Sequence, residues 1–104
     1  GKTYHIFNKA NGIEKLFLNR SDYLYFLKKL ERFLIPWMDV LAYCLIPNHF
    51  HLLITVKNIE AIRLTHSKHK ALKVSDLSKV FSNFFNSYSK SFNKAHNRHG
   101  KLFL

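Results

Sequence analysis

Met38-Asp39-Val40-Leu41-Ala42-Tyr43-Cys44-Leu45-Ile46-Pro47-Asn48-His49-Phe50-His51-Leu52-Leu53-Ile54-Thr55-Val56 is the stretch on which the fold turns. Met38 to Leu45 reads as one strand. His49 to Val56 reads as a second, with Phe50, Leu52, Ile54 and Val56 alternating onto one face. Ile46-Pro47-Asn48 leaves room only for a tight connection, which makes the two strands an antiparallel hairpin.

Upstream of the hairpin, Ser21-Asp22 offers a helix N-cap and a first-turn acid. Tyr23, Phe26, Leu27, Leu30, Phe33 and Leu34 then recur at helical spacing. Pro36 stops that run, because it has no amide hydrogen and restricts the residue before it. Further back, Thr3 to Asn8 alternates and predicts a first strand, followed by a turn at Asn11-Gly12. Lys15 to Leu18 is expected to be a short second extended piece.

Downstream, Lys57 to Val74 shows no dominant period and is long for a loop in a compact domain. Ser75 can cap a second long helix, whose apolar stripe is Leu77, Val80, Phe81, Phe84, Phe85, Tyr88 and Phe92. Asn97 to Gly100 ends it, and Lys101 to Leu104 begins another extended piece. This order predicts an α+β fold in which two main helices cover one antiparallel sheet, as in ferredoxin-like domains. Residues 1–104 are expected to form a single domain.

Composition narrows the function class. Hydrophobic residues make up 47%, with ten Phe and five Tyr, enough for a genuine core. Cys44 is the sole cysteine, so no internal disulfide forms, and a cytoplasmic location is expected. No apolar run approaches the roughly 18 to 20 residues of a membrane span, and Tyr4-His5-Ile6-Phe7-Asn8 alternates where a signal peptide would be uniformly apolar. The formal charge is +11, spread unevenly: residues 1–56 carry 7 basic and 4 acidic side chains, whereas 57–104 carry 10 and 2. Such a balance on a small domain points to a polyanionic partner, nucleic acid above all.

His49-Phe50-His51 carries the candidate chemistry. Residues two apart on a strand face the same way, so His49 and His51 present two imidazoles together while Phe50 enters the core. Two neutral imidazoles and one further ligand can hold a divalent ion with positions left open for substrate. An ion so held polarises a phosphodiester oxygen.

The sequence resembles the HUH superfamily, in which a His-hydrophobic-His motif on a central strand binds the catalytic metal. It is most similar to the single-tyrosine transposases, in the branch related to the REP-associated tyrosine transposases. The resemblance is carried by Tyr4-His5-Ile6-Phe7-Asn8-Lys9, by Asp22-Tyr23 with Phe26-Leu27, by Ala42 through Leu53, and by Ser87-Tyr88 to Asn93 with Arg98-His99-Gly100-Lys101-Leu102-Phe103. It implies a homodimer that binds single-stranded or hairpin DNA, cleaves it and transfers strands through a 5′-phosphotyrosine link. The implied cofactor is Mg²⁺ or Mn²⁺, held by His49 and His51. Imidazole ligation suits Mn²⁺ better than the oxygen-seeking Mg²⁺.

One family element has no counterpart here. The nucleophile of that branch lies in a segment resembling Tyr-Ile-x-x-Asn-Pro, with the third metal ligand four residues after the tyrosine, and no such segment occurs in residues 1–104. The nucleophile is therefore expected beyond Leu104. Tyr88 is the fallback within the chain, although its place on an apolar stripe reads as core; Tyr4, Tyr23, Tyr25 and Tyr43 read as structural too.

For DNA contact, the polar side of the last helix offers Lys79, Asn83, Asn86, Lys90 and Asn93, with Lys94 close by and Arg98, His99 and Lys101 beyond. Lys9 and Asn11 in the first turn are further candidates. His66, His69, His96 and His99 are spaced by threes and are taken as surface residues. Two other functions compete with the transposase: a non-catalytic hairpin-binding protein of the same fold, and an RNA-binding ferredoxin-like domain, which would show paired aromatics on its sheet face.

Overall fold

The computed structural model describes residues 2–57 and 74–104, so the irregular stretch expected from Lys57 to Val74, and with it His66 and His69, falls almost wholly outside the described residues. The elements run β1 (Thr3–Lys9), α1 (Arg20–Phe33), β2 (Met38–Ile46), β3 (His49–Val56) and α2 (Val74–Ala95). The described residues are thus α+β, with a three-stranded antiparallel sheet in the order β1-β3-β2 and two helices. That arrangement is compatible with a ferredoxin-like fold.

β3 matches the expected strand residue for residue and sits in the middle of the sheet. It pairs with β1 from Thr3↔Thr55 to Lys9↔His49, and with β2 from Met38↔Val56 to Ile46↔His49. Pro47-Asn48 alone makes the hairpin turn. β2 carries an irregularity between Val40 and Ala42, which lets its outer half regain register with β3.

Phe50, Leu52 and Ile54 are fully buried on the face that the helices cover. There the Phe26 ring of α1 lies 5.2 Å from Phe50 and 5.0 Å from Phe84 of α2, so one aromatic cluster joins both helices to the central strand. Burying each such ring contributes about 2 kcal/mol. The α2 stripe behaves as its spacing predicts: Phe84, Tyr88 and Phe92 are buried, while Leu77, Val80, Phe81 and Phe85 pack against the core.

Three local expectations need correction. The cap of α1 is Asn19, not Ser21. Asn19 has an extended backbone, its side chain accepts from the Asp22 amide, and the Asp22 carboxylate accepts from the Asn19 amide, closing a capping box. Lys15 to Leu18 forms no strand. Its Leu16 and Phe17 amides both donate to the single carbonyl of Pro47, at 2.7 and 3.3 Å, which pins the segment under the hairpin tip and buries both side chains. Lastly, α2 begins at Val74, one residue ahead of the serine expected to cap it.

The turn after β1 is as expected, with Gly12 at a φ of 62°. At the other end of the chain, Phe103 bridges Ala10 in antiparallel sense. The Leu104 amide donates to the Lys9 carbonyl at 2.9 Å, and the Asn11 amide donates to Leu102 at 2.8 Å. The last residues thereby start to extend the sheet beyond the β1 edge. No described helix is long and apolar enough to cross a membrane.

Candidate metal and nucleic-acid site

Strand alternation that buries Phe50 turns His49 and His51 to the sheet face away from the helices. Directly paired residues share a face, which makes rows across the open side of the sheet: Lys9, His49 and Ile46; Phe7, His51 and Cys44; His5, Leu53 and Ala42. The two imidazoles stand side by side, with ring centroids 5.1 Å apart and planes at 90°. Both are half-buried.

Each ring is held by its δ nitrogen. Nδ1 of His49 donates to the Asn48 amide oxygen at 2.8 Å, which places the proton on Nδ1 and leaves Nε2 a free lone pair. Nδ1 of His51 lies 2.8 Å from Nε2 of His5. The two rings are nearly coplanar, at 18° with centroids 5.0 Å apart. Parallel rings stacked face to face cannot bring nitrogens so close, so this is an in-plane, edge-to-edge hydrogen bond.

His5 is the residue of this site that sequence reasoning missed. It belongs to the alternation Thr3, His5, Phe7, Lys9, so its face relative to β1 was readable. Its meeting with His51 depends on the β1–β3 register, which pairs His5 with Leu53 and sets His51 on the diagonal.

The donor set suits half of a metal site. Two imidazole Nε2 atoms on one open face are ligands appropriate to a divalent ion such as Mn²⁺. Among the described residues no group of three or more His, Cys, Asp or Glu converges on a common point. Among the described residues, the two imidazoles are therefore an incomplete donor set for such an ion.

The tyrosines all lie off this face. Tyr88 is 1% exposed and its hydroxyl donates to the Leu16 carbonyl at 2.5 Å. Burial pushes its phenol far above the usual range, with the Asp22 carboxylate and Tyr23 adding to the effect, so it does not supply a phenolate. It lies in the helix layer, across the sheet from the histidines. Tyr23 stacks on Phe17 at 4.4 Å. Tyr4, Tyr25 and Tyr43, read from the sequence as structural, are exposed; Tyr4 pairs with Ile54 and Tyr43 with Leu52, both on the helix side. None of the five tyrosines, all among the described residues, shares the face of His49 and His51.

The basic candidates divide. Lys9 and His49, with Ala10, Gly12, Asn48 and Leu104, line a shallow cavity of about 310 Å³. Lys90, Asn93 and Lys101 line a cleft of about 730 Å³ between the β1 edge and α2, together with the apolar Phe81, Phe85 and Phe103. Leu104 borders both. Lys79, Lys94, Asn83, Asn86 and His99 are exposed, and Asn11 is half-buried.

Arg98 is a different kind of residue from the free cation expected. Its guanidinium donates to Glu14 at 3.1 Å, to Asn93 Oδ1 at 2.8 Å, and to the carbonyls of Gly100 and Lys101 at 3.2 and 3.0 Å. All three of its nitrogens are engaged, and Asn93 is tied into the same clamp through Gly100. His96 is also no surface residue. Its Nε2 sits 2.9 Å from both carboxylate oxygens of the buried Asp22.

Set against protein-family models, curated proteins and solved structures, the chain has no significant match in any of the three.

Proposed function

We propose that this chain is the DNA-binding and metal-binding part of a single-tyrosine transposase, acting on single-stranded or hairpin DNA. The observation that carries the reading is the His49–His51 pair on the open face of the central strand, both rings anchored through Nδ1. In this reading the fold is ferredoxin-like, and His49-Phe50-His51 is a His-hydrophobic-His motif.

A divalent ion bound there would draw negative charge from the phosphodiester oxygen during cleavage. The remaining work falls to protein groups. Lys9 lies in the same row as His49, and Lys90 and Lys101 border the neighbouring cleft, so backbone phosphates have cations along the route from the histidines to α2. The attacking phenolate forms a bond to phosphorus as the bond to the 3′ oxygen breaks, giving a 5′-phosphotyrosine and a 3′-hydroxyl, and the reverse step joins strands. None of the five tyrosines in residues 1–104 is placed on the histidine face to supply that phenolate.

The second reading, a hairpin-binding protein without cleavage, is favoured by one observation: no tyrosine lies on the histidine face. Titration of Mn²⁺ into the protein, alongside binding of hairpin DNA, tests both. Loss of Mn²⁺ binding in His49→Ala and His51→Ala, with DNA binding kept, is the outcome expected for the transposase. DNA binding with no Mn²⁺ binding in the wild type would support the hairpin binder, and preference for RNA would overturn both.

A further inference from the structure

We infer that His5 is a positioning residue that fixes the tautomer of His51 and so turns His51 Nε2 into a metal ligand; this rests on the metal reading proposed above. The 2.8 Å contact between His5 Nε2 and His51 Nδ1 holds one proton. If His5 donates it, His51 must carry its own proton on Nε2 and offers no lone pair there. If His51 donates it, Nε2 of His51 is bare, as Nε2 of His49 already is through Asn48. The second arrangement equips both rings alike.

Three features favour orientation over direct ligation by His5. Its Nε2 is already spent on His51, and an ion cannot sit between two nitrogens 2.8 Å apart. The near-coplanar rings give the in-plane approach that a directed hydrogen bond needs. No cluster of three ligating side chains is found among the described residues, which speaks against a three-histidine site. The arrangement is that of an outer hydrogen-bond partner, which sets ring orientation and raises ligand basicity at metal-bound histidines. Exposed Phe7, 67% accessible, flanks the pair on the same face with its ring 5.3 Å from that of His5.

The test reads the rings directly. In protein labelled with ¹⁵N at histidine and held at alkaline pH, long-range ¹H–¹⁵N spectra report which nitrogen of His51 is protonated. Wild-type His51 is expected to be protonated at Nδ1, and His5→Ala to return it towards the Nε2-protonated form. Mn²⁺ affinity should then fall about 10- to 100-fold in His5→Ala. His5→Gln places an amide oxygen near the position of Nε2, and should restore both the tautomer and most of the affinity. Because His5 is exposed on an edge strand, both variants are expected to keep the wild-type melting temperature.

A His51 ring protonated at Nε2 in the wild type overturns the inference, as does unchanged Mn²⁺ affinity in His5→Ala. The outcome for the parent reading is separate. A locked His51 tautomer and His5-dependent Mn²⁺ binding in a protein that ignores DNA would uphold the role of His5 and sink the transposase. A wild type that binds no Mn²⁺ would overturn both.

Discussion

Asp22 shows how much one side chain can organise. It is 3% exposed, yet its carboxylate accepts from the amides of Leu18 and Asn19 and from Nε2 of His96, so it completes the α1 capping box and fastens that helix to the end of α2. A buried carboxylate is tolerated only when its oxygens are satisfied in this way. Asp22→Ala removes the capping box and leaves two amides and an imidazole without their partner. It should cost about 2 to 4 kcal/mol in urea unfolding, the sum of a lost cap and lost charge-assisted bonds. A loss under about 0.5 kcal/mol would mean that water replaces the carboxylate freely. The sequence displayed Asp22 as a first-turn acid, which it is. Its link to His96, 74 positions away, had no local signal. Arg98 carries the same lesson: a basic residue near a basic helix reads as a phosphate ligand until its four acceptors are seen.

At the level of the element, β3 separates stability from chemistry by its pleat. Phe50, Leu52 and Ile54 face the helices, and His49 and His51 face outward, so the two sets of substitutions should have opposite consequences. Phe50→Ala opens a cavity among Phe26, Phe85 and Phe103 and is expected to cost about 3 to 5 kcal/mol. His51→Ala, on the same strand, should change stability by less than about 1 kcal/mol and, in the metal reading proposed above, abolish Mn²⁺ binding. Thermal melting and metal titration of the two variants check both halves; a His51→Ala protein as unstable as Phe50→Ala would show that the imidazole is structural. This division was legible in advance, since period-two alternation is a property of the chain itself. The end of α1 was legible too, through Pro36. The Leu16-Phe17 segment was not. Its apolar residues resemble a strand, but its amides are bound by the Pro47 carbonyl instead of a neighbouring strand.

Across the whole molecule, the charge of +11 has to be divided between cations that hold the fold and cations left for a partner. Lys9, Lys90 and Lys101 are exposed and border the two cavities that meet at Leu104, whereas Arg98 is consumed internally. In the reading proposed above, binding of hairpin DNA should therefore weaken steeply with salt. Lys90→Ala and Lys101→Ala should each reduce the slope of log K against log salt by about 1, the signature of one lost phosphate contact. Arg98→Ala should leave that slope unchanged and lower the melting temperature instead. A shallower slope in Arg98→Ala at unchanged stability would return Arg98 to the binding surface. By itself the sequence determined the hairpin, the two amphipathic helices, the common face of His49 and His51 and the excess of positive charge, because periodicity and composition are local quantities. Only the tertiary structure decided that His5 meets His51, that Tyr88 is sealed behind the sheet and that Arg98 is a clamp. Each of those depends on register or packing between segments far apart in the chain, and no local pattern encodes which distant partner a side chain will find.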